Sequence, residues 1–300
     1  MANTIALAEK YSPILDEIYK RESVSAILDT PGDLVQWVGA NTARIFKTEL
    51  DGLADYDRNG GYVAGSINAG WETYTLNYDR NRALQVDAMD DEETLGMAFG
   101  TVAGEFIRTK EIPEIDAYTF AKIAGTTGIQ KATPADLASV TDLLAEVDKA
   151  QAALDNAEVP FEGRILFVSP DAYQALKGKI SRYLANETTV DRNIYMLDNM
   201  RVLTVPQPRF NTAINLLDGT TSGEEAGGFA PATGSYKINF MLLHPSAVMK
   251  VLKHRVPRIF SPEINQSADA WKFVIRCYGD TFVKDNKVSG IYLHNGSTAN

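Results

Sequence analysis

The chain has 300 residues but a single cysteine, Cys277, and only three histidines, His244, His254 and His294. One thiol cannot form an intramolecular disulfide, and a Cys-rich zinc site is excluded. No histidine has H-E-x-x-H spacing, and His244, ahead of Pro245 at a strand end, reads as a hydrogen-bonding group. No stretch approaches the roughly 20 apolar residues of a membrane span. The first ten residues lack a basic region followed by an apolar core, so the expectation is a protein made and kept in a cytoplasm.

The loops that carry chemistry are missing as well. No G-x-G-x-x-G follows a strand, and Gly178-Lys179 lacks the residues that flank the lysine of a phosphate-binding loop. Ser169 is not in a nucleophile elbow; its place before Pro170 predicts a helix cap. Asp55-x-Asp57-x-Asn59-Gly60 matches half of a calcium loop, but Ser66 stands where the bidentate glutamate is needed, so an Asx/Gly turn is the better reading. Cys277, inside an apolar strand, reads as a small buried hydrophobe. Carboxylates are plentiful and nothing selects a pair. We therefore assign no catalytic, cofactor-binding or metal-binding residue.

Positive charge is scarce: 29 Lys and Arg face 39 Asp and Glu, a net charge of −10. A tight duplex-DNA reader needs a basic face to displace counterions. An acidic chain argues against that class, yet it suits a wall that encloses nucleic acid without gripping it. Apolar residues at 45% and charged residues at 23% are ordinary for a globular protein. The length suffices for one large domain or two modest ones.

What is present reads as mixed helix and strand. Ile14 and Ile18 suggest a short helix over Tyr11–Lys20, followed by an apolar cluster at Val24, Ile27 and Leu28 and turn chemistry at Thr30-Pro31-Gly32-Asp33. Leu34 to Ile45 fits a strand or a helix. Residues 52–70 are rich in Gly, Asp and Asn and read as a long loop. Residues 71–87 then give the clearest strand signal. Tyr74, Leu76 and Tyr78 alternate with polar residues, Asp79-Arg80-Asn81-Arg82 has turn composition, and Leu84 and Val86 alternate again: a β-hairpin with one apolar face. An isolated hairpin is marginal in water. Its face therefore needs a cover, either its own body or another subunit.

Asp90 to Glu93 open a helix whose Leu95, Phe99, Val102 and Phe106 share a face. Gly96, Gly100 and Gly104 line another and suggest close backbone approach. Pro113 breaks the run, which resumes over Ala117–Ile123. Thr133-Pro134 predicts a cap for a helix through Leu137, Val140, Leu144, Val147 and Leu154. Ile165–Val168, Val202–Val205 and Ile238–Leu243 read as buried strands, Asp218–Ser235 as a polar loop. Val256–Phe260, Trp271–Tyr278 and Thr281–Val283 read as further strands.

Several stretches carry a likeness beyond this. They are Gly52-Leu-Ala-Asp55-Tyr-Asp-Arg-Asn-Gly60-Gly-Tyr62, Trp71-Glu-Thr73 with Asp79-Arg80 and Arg82, and Val86-Asp87-Ala-Met89-Asp-Asp-Glu-Glu93-Thr94. Later come Arg164-Ile-Leu-Phe-Val-Ser169, His244-Pro245, Pro262-Glu-Ile-Asn265 and Ala268-Asp-Ala-Trp271. In their order and spacing, over nearly the whole chain, the sequence resembles the major capsid proteins of tailed bacteriophages and prophages with the Hong Kong 97-type fold, which encapsulin shells share. The resemblance implies an α+β capsid fold with an N-terminal arm and lead-in (1–51), an extended β-hairpin loop (52–90, hairpin 71–87), a peripheral domain with a long spine helix (91–129 and 251–293), an axial α/β domain (130–250) and a C-terminal tail (294–300).

It further implies a structural, non-enzymatic subunit. Such a subunit assembles with itself, as pentamers and hexamers, into an icosahedral shell around double-stranded DNA, inside the host cytoplasm and then in the virion. An encapsulin-like nanocompartment is the alternative. Implied partners are a separate scaffolding protein, a portal and head-completion proteins; no membrane is involved. Some relatives cross-link through a lysine on the extended loop. This chain has no lysine between Gly60 and Asp90, so no cross-linking residue is assigned. The expected inter-subunit contacts are Trp71, Tyr74, Leu76, Tyr78, Arg80, Arg82, Leu84 and Val86. On that expectation, replacing Leu76 and Leu84 by Asp stops assembly and leaves a folded monomer.

Overall fold

A computed structural model describes residues 23–31, 36–39, 41–56, 58–89, 103–137, 142–179 and 193–299. The helix expected over Tyr11–Lys20, Leu34, the stretch with Leu95, Gly96, Phe99, Gly100 and Val102, and Val140 lie outside the described residues.

Four fully apolar residues in a row predict a strand buried on both faces. Ile165–Val168 (β6) is that strand, at the heart of a six-stranded sheet. Its neighbours are β11 (Tyr236–Leu243), antiparallel, and β8 (Met200–Thr204), parallel. The sheet continues through β7 (Met196–Leu197) at one edge, and through β14 (Ile291–Ala299) to β5 (Gln130–Lys131) at the other. Successive side chains of β6 alternate faces. Ile165 and Phe167 meet Phe120 and Ile123 of helix α1 (Ile112–Gly125). Leu166 and Val168 meet Val147 and Leu154 of α2 (Leu143–Asn156) and Leu176 of α3 (Pro170–Lys179). Phe120 stands edge-on to both Phe167 and Phe210, each ring centroid 5.1 Å away.

The caps were partly legible. Ser169 Oγ accepts the Ala172 N–H at the start of α3, with Pro170 in the first turn, as expected. The cap expected at Thr133-Pro134 is corrected: α2 starts at Leu143, and Asp142 caps it by accepting the Leu144 N–H. Ala132 and Ala135 donate backbone bonds to Leu293 and Asn295. That stretch is held as extended backbone beside β14, out of reach of a helix.

A second sheet carries β12 (Val248–Phe260), β13 (Ala270–Val283) and β4 (Tyr78–Asp87), in the order β12-β13-β4. The two strands read at 271–278 and 281–283 are one, continuous through Gly279. A Cβ at Gly279 would run into the Val251 carbonyl oxygen, where the register shifts between Leu252 and His254. Phe273, Ile275 and Cys277 pack against Ala103, Ile107, Ile112 and Ile115, so α1 serves both sheets. Pro113 does not break this helix. Ile107–Glu111 form a π turn in which the Ile112 N–H reaches the Ile107 carbonyl, and α1 starts there with Pro113 in its first turn. Proline has no N–H to donate, and the wider turn re-registers the ladder around it.

The hairpin expected at 71–87 is corrected. β4 pairs with β13 from Gly279↔Tyr78 to Ala270↔Asp87, so Asp79 to Arg82 lie inside a strand, not in a turn. The upstream half, Trp71 to Thr75, belongs to β3 (Ile67–Thr75). That strand pairs with β2 (Thr42–Leu50), and β2 in turn with β1 (Gln36–Val38). Two of the three "turn" charges are ion-paired: Arg276 bonds Asp79 through two nitrogens, at 2.9 and 2.6 Å, and Arg80 meets Glu114 at 2.6 Å. The polar loop expected over 218–235 also contains a strand, β10 (Gly228–Pro231), paired with β9 (Ile214–Leu217).

The tail expected at 294–300 is corrected as well: through Ala299 it is strand β14, paired with β11. Its outer end is tied down by Asp136. One carboxylate oxygen accepts the N–H groups of Ser297 and Thr298, and the other accepts their hydroxyls, at 2.6–3.2 Å. The Thr298 hydroxyl, followed by the other donors, holds this carboxyl at about 2. A depressed pKa favours the folded state above the ordinary value of 3.8, and that contribution is lost as pH falls through about 2. Protection of the Thr298 amide against exchange, corrected for intrinsic rate, is expected to fall in that window and to be low at every pH in Asp136→Ala. Equal protection in both proteins at neutral pH would rule the tie out.

Candidate interaction surface

β2 and β3 pair over all nine residues of each strand, forming a ribbon about 30 Å long at ~3.3 Å per residue. Its two faces follow from the pleat. At the base, one face carries Ala43, Ile45 and Tyr74, which join Leu76 in packing against Met249, Val251 and Phe282. The Tyr74 and Phe282 rings are 4.8 Å apart. Further out on this face Glu72 accepts the Asp285 N–H at 3.4 Å. Burial, then the Asp285 carboxyl, raise the Glu72 pKa.

The other face pairs Phe46 with Trp71, Thr48 with Ala69 and Leu50 with Ile67. It has no cover. Phe46 is 55% exposed, Trp71 48%, Leu50 70% and Ile67 75%. The Phe46 and Trp71 rings stand edge to face with centroids 5.3 Å apart, which presents one joined apolar surface. Beyond Leu50 the tip adds Leu53, Tyr56, Tyr62 and Val63, all exposed. Tyr56 and Tyr62 also meet edge to face at 5.3 Å. Asp51 closes the mouth of this tip: its carboxylate accepts the Ser66 N–H at 2.6 Å and the Ser66 hydroxyl at 2.8 Å. These two bonds hold the Asp51 carboxyl below its usual range. A strip of large exposed apolar side chains makes this face a candidate contact surface, because water is a poor partner for it.

Of the eight residues expected to form inter-subunit contacts, only Trp71 lies on this strip. Leu76 and Tyr78 are 4% exposed within their own chain. The Tyr78 hydroxyl donates to Glu114 at 3.2 Å. Leu84 and Val86 pack with Phe273 and Ile275. Tyr74 lies on Phe282, and Arg80 is bound by Glu114 and by the Leu217 and Gly228 carbonyls. Arg82 donates to the Glu225 carbonyl. Within the single chain these side chains pack on β12, β13 and α1, and Asp at positions 76 and 84 would sit in the chain's own core. The sequence reading missed Phe46, Leu50, Ile67 and the tip. The period of two in Phe46-Lys47-Thr48-Glu49-Leu50 and Ile67-Asn68-Ala69-Gly70-Trp71 was the available signal.

The ionisable groups inside the body are paired off. Arg255 meets Glu111 at 2.8 Å, and the Cys277 thiol donates to the same carboxylate at 2.8 Å. Burial, then Glu111, push that thiol far above its ordinary value, which suits the packing role expected of it. His244 bonds the Ser246 hydroxyl and the Glu162 carbonyl, as a strand-end histidine was expected to do. Among the described residues no group of three or more His, Cys, Asp or Glu is placed to hold a metal, and no helix is long and apolar enough to cross a membrane.

Against solved structures, this architecture superposes on one from Mycobacterium phage Che8 with a TM-score of 0.55 at 17% identity, covering 92% of each chain. It superposes on the capsid of cyanophage P-SCSP1u with a TM-score of 0.57 at 12% identity, covering 90% of this chain and 87% of that one. On a virus-like particle from Pyrococcus furiosus the TM-score is 0.57 at 11% identity, covering 96% and 99%. No family model matches the chain, and no curated protein is similar to it in sequence. At these identities the shared property is the fold, a mixed helix and sheet architecture. The chain has a phage-capsid-type fold.

Proposed function

We propose that this chain is the major capsid subunit of a tailed bacteriophage or prophage, which assembles with itself into an icosahedral shell around double-stranded DNA. The observation that carries the proposal is the uncovered apolar strip of the β2–β3 ribbon, on a chain whose fold is that of capsid proteins. No described residue of its own chain covers this face, and a second copy supplies the missing cover. Each contact can be modest, because closure of a symmetric shell multiplies many of them.

On this reading the ribbon, residues 42–75, is the extended loop. The helix through α1 and the β12-β13-β4 sheet form the peripheral domain, and the six-stranded sheet with α2 and α3 forms the axial domain that meets its copies around five- and sixfold axes. The role is structural and not enzymatic. Assembly takes place in the host cytoplasm with a separate scaffolding protein, a portal and head-completion proteins. The net charge of −10 fits a wall that holds DNA without sequence-specific contacts.

A genome-free compartment of the encapsulin kind is the second reading, and the superposition on the Pyrococcus particle favours keeping it. Electron microscopy of the purified protein tests both. Closed shells are expected, and a uniformly monomeric protein at high concentration would end both readings. Nuclease-protected duplex DNA in particles taken from the source cells separates the first from the second.

A further inference from the structure

Four times in this sequence an Asn or Asp stands directly before a glycine: Asp51-Gly52, Asn59-Gly60, Asp218-Gly219 and Asn295-Gly296. At such a step the glycine nitrogen can attack the side-chain carbonyl carbon of the residue before it, because no Cβ on the glycine hinders the approach. From asparagine a C–N bond forms, the side-chain amide leaves as ammonia, and a five-membered succinimide remains. Water then opens the ring at either carbonyl. One opening gives aspartate and the other isoaspartate, whose backbone runs through Cβ. Water is the only co-reactant.

The fold locks three of the four steps. Asn295 is 6% exposed in β14, and its side-chain nitrogen donates to the Gly296 carbonyl at 2.8 Å. A Cβ at Gly296 would stand 2.7 Å from an Asp136 carboxylate oxygen, so the backbone there has little room to turn into a ring. An aspartate must be protonated before it can lose water to the same attack. The Ser66 N–H and hydroxyl hold the Asp51 carboxyl below its usual range. The Thr221 hydroxyl, then the Thr221 and Thr220 N–H groups, do the same for Asp218. Asn59 differs from all three. It is exposed, in a turn over residues 58–60 at the ribbon tip, outside any strand. The next residue, Gly61, has φ +78°, and a Cβ on it would meet no atom within 4 Å. Loop tips are where opening of the backbone costs least.

We propose that Asn59 is a self-modification site, at which the Gly60 nitrogen closes the ring and the amide is converted to aspartate and isoaspartate without an enzyme. The product adds a negative charge to a tip where Asp51, Asp55 and Asp57 already outnumber Arg58, and in the isoaspartate form one more backbone atom. Charge and shape of the tip therefore change with the age of the protein. Nothing in this chemistry depends on the shell reading. The test is incubation of the full-length protein at 37 °C and mildly alkaline pH, with peptide mapping at acidic pH, where ring closure is slow. An S-adenosylmethionine-dependent isoaspartyl methyltransferase reports the isoaspartate. Conversion at Asn59 is expected to run roughly tenfold or more faster than at Asn295, because the buried step must open first. In the urea-unfolded chain the two rates should come within about threefold of each other, since the lock is gone. Gly60→Ala should slow residue 59 roughly tenfold or more and leave Asn295 unchanged, because a Cβ then blocks the nitrogen. An Asn59 that stays intact in the folded protein while the unfolded chain converts, or equal rates at the two sites in the folded protein, would overturn the assignment.

Discussion

Phe46→Asp combined with Trp71→Asp is expected to yield a folded subunit that no longer forms particles. Both rings are about half exposed in the single chain, so folding stability should change little beyond loss of their mutual contact, worth about 0.5–1.5 kcal/mol. At a contact between copies the consequence is larger. Full burial of a large apolar side chain contributes about 1.5–3 kcal/mol. Only the exposed half of each ring is left to bury, and each 1.4 kcal/mol is about tenfold in an equilibrium constant, so losing two side chains weakens each contact by roughly 10- to 100-fold. Repeated around a shell, that removes assembly. Circular dichroism and urea midpoints report the fold, and sedimentation with electron microscopy reports particles. Phe46→Leu with Trp71→Phe keeps the strip apolar and should retain them. Shells of normal yield from the Asp variant would show that the strip is not the contact.

Asp116→Ala is expected to destabilise the subunit by about 3–5 kcal/mol, the range for breaking a buried charged network from one side. Asp116 is fully buried on α1. One of its oxygens accepts the Ser23 hydroxyl, the Ser25 hydroxyl and the Ser25 N–H; the other accepts the Val24 N–H and Arg209. Alanine leaves two backbone donors and a guanidinium without their acceptor in a site that water does not reach freely. The same change should release the segment around Ser23–Leu28, whose Leu28 packs beside Phe120 and Ile123, and limited proteolysis would detect it. Asp116→Asn keeps an acceptor and should cost less than alanine. A urea-derived loss below about 1 kcal/mol for alanine would mean that these bonds contribute little beyond what water supplies.

How much of this was readable in advance depends on the range of the interactions. The β6 run, Ile165 to Val168, announced a strand covered on both faces because no other environment accepts four apolar residues in succession. Ser169-Pro170 announced α3 because capping is settled within four residues. Residues 78–86 alternated visibly, yet their turn was misread. The pleat runs straight through Arg80 and Arg82, which share the inward face with Tyr78, Leu84 and Val86. Asp79 finds its counter-ion in Arg276, 197 residues on, and nothing local records that pairing.

The candidate surface shows the same division. Phe46, Leu50 and Ile67 were hidden among Thr, Lys, Ala and Gly, and the glycine-rich tip drew the loop assignment too far, across the start of β3. Of the eight residues expected at the contact, seven turned out to be held by their own chain. Composition alone could not say which apolar face β13 would claim, because β4 and β3 both offered one.

The amino-acid sequence by itself determined an acidic chain without a disulfide framework, the buried strands of the six-stranded sheet, the cap of α3 and the alternation that makes β4 two-faced. Only the tertiary structure decided that β3 leaves β4 to pair with β2, that residues 291–299 return to the central sheet, and that Phe46 and Trp71 are left bare. Alternation, caps and apolar runs are fixed by neighbours a few residues apart. The choice of strand partner is a sum of many weak contacts between distant segments, and it exists only once the chain has folded around them.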